Sequence, residues 1–267
     1  MRSAPSAVCR PPPVAPAAAR SGRVSWPLII AAGVAAAANP LLHLPVTDLF
    51  DGIATRLGFR VYDRVLASTF AVLGAAALLA VLLRGRQRRL LLPAAALLVA
   101  LAVVANETLL VASIENIHYP QYALLAFLLG RSGISAEAGW LGATALGTLD
   151  EAYQFLVLRR GAPSYLDWND IVLNAIGAAF GIVALLLLGG ARHPRPLCTS
   201  RMAGSAFVIA LALALVSAPV LVRPLLHPNA VGGQYHVLSA TEGVVAIGAL
   251  WRGVRALLAR ADSGTSA

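Results

Sequence analysis

The sequence contains no lysine, only two cysteines and few charged residues, and these absences limit the classes of protein to which the chain can belong. Charged residues make up 12% of its 267 residues and hydrophobic residues 58%, whereas soluble domains carry about 25% charged residues. Several apolar stretches reach the roughly 20 residues that cross a hydrocarbon core. The sequence therefore predicts an all-α fold, a polytopic transmembrane helical bundle, with no polar block long enough to form a separate soluble domain.

All 21 basic residues are arginine, and the formal net charge is +9. A protein that binds nucleic acid could be equally basic, but here the arginines lie in short segments between apolar runs, as topology signals do. Cys9 and Cys198 fall in such segments and predict neither a disulfide nor a metal cluster. We expect membrane lipids as partners and no nucleic acid.

Hydropathy divides the chain into about eight membrane segments. Residues 1–25 are rich in Pro, Ala, Ser and Arg, lack acidic residues and are predicted to be disordered. We favour an uncleaved first membrane segment over a cleaved signal peptide. The fourth segment is short enough to be re-entrant, and the eighth could instead lie on the surface. The predicted segments are 26–44, 65–83, 90–113, 119–130, 138–157, 170–189, 204–222 and 235–254.

Residues 45–64 join the first two membrane segments. Leu49, Ile53 and Leu57 recur there every four residues among charged side chains, which predicts a short amphipathic helix at the membrane interface. A simple spacer role is the plainer interpretation. The resulting regions are a disordered terminus at 1–25, N-terminal membrane helices at 26–104, a membrane core at 105–190, C-terminal membrane helices at 191–258 and a tail at 259–267.

The distribution of arginine predicts the orientation. With eight segments and a cytoplasmic N-terminus, 15 of the 21 arginines lie in cytoplasmic segments and six lie outside. Because positive residues accumulate in cytoplasmic loops, we expect a multi-pass protein of the bacterial cytoplasmic (inner) membrane with both termini in the cytoplasm.

A polar hairpin at residues 150–181 carries the strongest functional signal. Ionisable groups near the bilayer are costly and are usually kept for a purpose. Three candidate catalytic residues lie on predicted helices that reach the same outer membrane level: His118, Glu151 and Asp170. The candidate ligand-binding residues at that level are Tyr122, Asp150, Gln154, Arg159, Arg160 and Asn174.

Gly177 and Gly181 follow Asp170 and Asn174 at intervals that place all four on one helix face. Two small residues spaced four apart let membrane helices approach closely. We therefore predict that this face packs against another helix, most closely the 138–157 helix.

Each polar residue also has a plainer interpretation. Asp167 and Asp170 resemble a pair of helix-capping residues. Arg159 and Arg160 could be interfacial anchors or salt-bridge partners, and a lone histidine such as His118 at a helix end is most often an interfacial residue.

The order of these residues resembles the VanZ-like family of bacterial membrane proteins. The pattern is His-x3-Tyr, then Asp-Glu-x2-Gln, then Arg, then Asp-x3-Asn-x2-Gly-x3-Gly, and it covers roughly 105–190. Leu-Arg-Arg-Gly replaces the commoner Pro-Gly-Arg turn, so either Arg159 or Arg160 matches the family arginine. The family name comes from a protein associated with low-level teicoplanin (glycopeptide) resistance, and the resemblance implies a protein of the cell envelope without a settled reaction.

Three functions stay open at this point. The polar pocket could bind a lipid-linked or glycopeptide-like ligand at the outer membrane face, with arginines meeting anionic groups. It could instead belong to an intramembrane enzyme that acts on a lipid-linked envelope precursor, with His118 or Glu151 as general base and Asp150 or Asp170 holding a metal or orienting the base. Paired carboxyls also occur in proton- or solute-coupled transporters, although the chain shows no inverted repeat. No standard metal-binding spacing is present, and we predict no metal and no cofactor.

Overall fold

A computed structural model describes residues 24–84, 88–110, 113–158, 166–189, 225–228 and 234–263, and these ranges are almost entirely helical. A 3₁₀ turn at Ser113–Ile117 precedes α4, and a π-helical turn at Gln154–Leu158 follows α5. Strand β1 (Leu225–Pro228) pairs antiparallel with β2 (Gln234–Val237). The helices are α1 (Trp26–Leu57), α2 (Phe59–Arg84), α3 (Arg88–Thr108), α4 (His118–Arg131), α5 (Ala136–Tyr153), α6 (Trp168–Leu187) and α7 (Ala240–Ser263).

Four described helices are long and apolar enough to cross a membrane: α1, α2 as far as Ala80, α3 from Leu90, and α6. The predicted class of helical membrane protein is supported by these four. Helix α6 differs from the others because 78% of its most apolar window is buried, against 6% for α1, 0% for α2 and 22% for α3. It is therefore the central helix, and the other three expose most of their apolar surface, as lipid-facing helices do.

The predicted number of eight membrane segments is not reached in the described residues. Helices α4 and α5 have only 14 and 18 residues and are not among the four candidate spans. The predicted segment 204–222 lies outside the described residues. The predicted segment 235–254 begins as strand β2, and α7 starts only at Ala240.

A capping box fixes the start of α7. The backbone N–H of Ser239 donates to the Glu242 carboxylate at 2.7 Å, and the N–H of Glu242 donates to Ser239 Oγ at 3.3 Å. Such reciprocal bonds satisfy two N–H groups that a helix start otherwise leaves unpaired. The polar residues that weaken the hydropathy of this predicted segment are therefore the ones that begin the helix.

The separate interfacial helix predicted at 45–64 is wrong. Helix α1 continues unbroken to Leu57 with Pro40 and Pro45 inside it. The chain turns at Gly58, whose φ of 82° favours glycine, and α2 begins at once. A four-residue apolar spacing is common to a new helix and a continued one, so the pattern alone could not separate the two.

The glycine face of α6 packs against α4 rather than against the predicted α5. A Cβ added to Gly177 would lie 2.9 Å from the carbonyl oxygen of His118, and one added to Gly181 would overlap the carbonyl oxygen of Ala123. Helix α5 touches another side of α6, where Trp140 Nε1 donates to the Ala175 carbonyl at 3.0 Å. Helices α4 and α5 therefore both pack on α6, and their polar ends meet at its N-terminus.

Candidate functional site

Three acid–base side chains from three helices converge where α6 begins. His118 is the first residue of α4, Glu151 lies in the last turn of α5, and Asp170 lies in the first turn of α6. One side-chain nitrogen or oxygen of each residue lies within 4.8 Å of those of the other two. His118 Nε2 is 3.6 Å from Asp170 Oδ1. Glu151 and Asp170 are buried, so the cluster occupies the interior of the helix junction.

The helix start explains Asp167 but not Asp170. The Asp167 carboxylate accepts hydrogen bonds from the backbone N–H groups of Asn169 and Asp170, which makes it the N-cap of α6. The Asp170 side chain lies instead against His118. The plainer capping interpretation therefore holds for the first aspartate, and the second joins the cluster.

Neighbouring polar groups hold the acidic residues of α5 in place. Tyr122 Oη donates to Asp150 Oδ2 at 3.1 Å, and its ring stacks on the imidazole of His118 with centroids 6.2 Å apart. Gln154 Nε2 donates to Glu151 Oε1 at 3.2 Å. Because Tyr122, Asp150 and Gln154 are all buried, these bonds form in a low-dielectric environment, where each is electrostatically stronger than in water.

Asn174 is a fully buried polar side chain at the cluster. It lies one turn after Asp170 on α6, beside His118, and its amide faces Gly147 of α5. A Cβ added to Gly147 would lie 2.7 Å from Asn174 Nδ2. Neither amide atom completes a hydrogen bond with any described residue. Among the described residues, the amide therefore has hydrogen-bonding capacity for a further group.

Asn169 lies five residues before Asn174 on the same helix and, unlike Asn174, uses its side-chain amide fully in hydrogen bonds. Its Nδ2 donates to the carbonyls of Leu109 and His236, each at 2.8 Å. Its Oδ1 accepts from the backbone N–H of Leu238 at 2.8 Å. These three bonds tie α6 to the end of α3 and to β2, so Asn169 is a structural residue that the sequence pattern did not single out.

The turn that leads into the site is anchored from outside it. The backbone N–H of Ser113, which begins the 3₁₀ turn before His118, donates to the Asp63 carboxylate of α2 at 2.8 Å. Helix α2 therefore helps to position the start of α4.

The remaining predicted residues fall into two groups. Gly177 and Gly181 shape the α4–α6 contact and do not face the cluster. Arg159 and Arg160 lie outside the described residues. Gly139, Ala143 and Gly147 of α5 are not among the predicted packing residues, although their four-residue spacing is the same pattern of close helix packing as in α6.

Comparison with known proteins gives no family for this chain. No family model, no curated protein and no solved structure matches it. The resemblance to the VanZ-like family therefore depends on the motif in residues 118–181 alone, and the interpretation of the site depends on its geometry.

Chemically, the cluster combines one imidazole and two carboxylates with two amide side chains. Such a set can accept and donate hydrogen bonds, move a proton, or coordinate a cation. Its members come from three helices that approach one another closely at glycine residues. The arrangement is typical of a functional site, because capping and interface anchoring do not require side chains to converge in the interior.

Proposed function

We propose that this chain is a VanZ-like integral membrane protein of the bacterial cell envelope, in which the junction of α4, α5 and α6 binds the polar head of a lipid-linked ligand. The observation that carries the proposal is the fully buried amide of Asn174, which completes no hydrogen bond with a described residue. A fully buried amide without a hydrogen-bond partner costs about 1–3 kcal/mol. A ligand head group that bonds to this amide would offset the cost.

The chemistry of the junction favours a head group with both donors and acceptors. Glu151 and Asp170 accept hydrogen bonds from hydroxyl or amide groups, as in a sugar or a peptide, while Asn174 both donates and accepts. Envelope precursors linked to a polyprenyl diphosphate carry sugars and peptides on a membrane-embedded chain. Such a lipid would bring these groups to the level of the site without leaving the bilayer.

Asn174→Leu is expected to weaken lipid binding at least about tenfold while leaving the folded state as stable as the wild type. Leucine has the same number of side-chain heavy atoms as asparagine. It removes two polar groups that bond to no described residue, a change that is nearly neutral when such groups lack partners. The measurement is binding of an undecaprenyl-linked disaccharide pentapeptide to protein in nanodiscs, together with thermal unfolding. Ser68→Leu, a polar-to-leucine change at an exposed position of α2, serves as the control. Equal affinity of wild type and Asn174→Leu would contradict the proposal.

The position of His118 favours an enzyme as the second candidate. Its Nε2 faces Asp170 at 3.6 Å, with Glu151 close by, which resembles a general base beside a group that orients it. An intramembrane enzyme acting on a lipid-linked precursor would lose turnover in His118→Gln while retaining lipid binding. A protein that only binds would show no turnover in the wild type.

The proposal includes an orientation with both termini in the cytoplasm and residues 158–169 outside. Ser164→Cys, made in a background with Cys9 and Cys198 replaced by serine, is expected to react with an impermeant thiol reagent on intact cells. The reason is the concentration of 15 of 21 arginines in the predicted cytoplasmic segments. Labelling only after lysis would reverse the orientation.

A further inference from the structure

We infer that His118, Glu151 and Asp170 form a binding site for a divalent first-row metal ion such as Zn²⁺ or Mn²⁺. The inference deepens the proposed function, since it places the ion in the same helix junction that would receive the lipid head group. One imidazole nitrogen and two carboxylate oxygens make a donor set suited to these ions. No sequence motif predicts this metal site, because each of the three ligands belongs to a different helix.

The geometry is close to that of an ion-bound site. Metal–ligand bonds of 2.0–2.2 Å in a tetrahedral arrangement separate two ligand atoms by about 3.4 Å. His118 Nε2 and Asp170 Oδ1 are already 3.6 Å apart. The three ligand atoms lie within 4.8 Å of one another, so side-chain rotations that shift these atoms by roughly 1–1.5 Å would bring Glu151 onto the same ion.

Burial and charge favour a cation at this place. Glu151 is 2% exposed and Asp170 8%. Two neighbouring carboxylates in the interior repel each other and are costly to desolvate. A divalent ion offsets both costs, because its two positive charges balance the two negative charges of the carboxylates.

The groups around the three ligands fit the same role. Gln154 donates to Glu151 at 3.2 Å, and hydrogen bonds of this kind orient metal ligands in many sites. The fully buried Asn174 amide lies beside His118 without completing a hydrogen bond to a described residue. It is an independent sign of a bound group, because it supplies a donor and an acceptor next to the position that the ion would take.

A metal ion would also reconcile the acidic cluster with the ligand proposed above. The diphosphate of a polyprenyl-linked precursor is anionic and would be repelled by Glu151 and Asp170 alone. Divalent ions commonly bridge carboxylates and phosphate oxygens. The ion would therefore remove the repulsion between these carboxylates and the diphosphate and strengthen binding of the head group.

Equilibrium dialysis of the full-length protein with Zn²⁺ and with Mn²⁺ tests the inference directly. The protein is purified without a histidine tag, treated with a chelator, and carries serine at positions 9 and 198 because thiolates also bind zinc. We expect one ion per chain for one or both metals. Glu151→Gln and Asp170→Asn are each expected to weaken binding at least about tenfold. Glu137→Gln, the same change at the other end of α5, is expected to bind like the wild type.

Thermal unfolding with and without the metal keeps the test valid if a variant fails to fold. The chelated wild type should unfold at a higher temperature when the ion is added, and size-exclusion profiles identify variants that retain the fold. The inference is overturned if the wild type binds neither ion, or if a folded Glu151→Gln protein binds as tightly as the wild type.

The metal inference and the proposed function can fail separately. If the wild type binds no ion but binds the undecaprenyl-linked precursor, and Asn174→Leu does not, only the metal inference is wrong. If it binds an ion with the expected variant effects but no lipid-linked precursor, only the proposed ligand is wrong.

Discussion

Gly181→Ala is expected to destabilise the folded protein by about 1–3 kcal/mol, which is a large effect for one added methyl group. The new Cβ would overlap the carbonyl oxygen of Ala123 and lie 3.0 Å from the Cβ of Ala126, both in α4. These atoms belong to a helix backbone and its shortest side chain, so neither can rotate away. The two helices must separate, which disturbs the contact that places His118 beside Asp170.

Gly74→Ala in α2 provides the matched control. A Cβ there meets nothing within 4 Å. Alanine also leaves the unfolded chain fewer backbone conformations than glycine does. Its expected effect is a stabilisation of roughly 0.5–1 kcal/mol. Unfolding titrations in mixed micelles, followed by tryptophan fluorescence, would measure both variants. Similar stabilities for the two would show that α4 and α6 are not in close contact at Gly181.

Asn169→Leu is expected to lower the free energy of unfolding by about 2–4 kcal/mol. The change removes three hydrogen bonds, each worth about 0.5–1.5 kcal/mol, and leaves the partner groups in the protein without them. The same titration measures the loss, and hydrogen exchange should become faster at the backbone N–H of Leu238. Asn174→Leu, the same substitution five residues along α6, should leave both quantities near the wild-type values. Loss of stability in Asn174→Leu but not in Asn169→Leu would reverse the roles assigned to the two residues.

Much of the helical architecture could be predicted from hydropathy. The predicted segment 90–113 corresponds to α3, and 170–189 corresponds to α6 with a shift of two residues. Helices α4 and α5 are a different case. Their apolar residues pack against α6, and hydropathy cannot distinguish a helix buried in protein from one that crosses lipid.

Only part of the candidate site could be predicted from the sequence. Helical spacing places Glu151 and Gln154 on one face, and the structure joins them by a hydrogen bond. Spacing within one helix says nothing about which helices become neighbours, so it does not identify α4 as the partner of Gly181. Asn169 and Asn174 are chemically identical in the sequence, and only their three-dimensional surroundings separate a structural amide from one with free hydrogen-bonding capacity.

Helix α1 has 32 residues, which corresponds to about 48 Å of helix. A hydrocarbon core is about 30 Å thick, so α1 is longer than the core that it would cross. Asp63 lies just beyond the turn at Gly58 and is bonded to Ser113, five residues before His118. The turn at Gly58 is therefore connected to the start of α4 through the Asp63–Ser113 hydrogen bond and the 3₁₀ turn Ser113–Ile117.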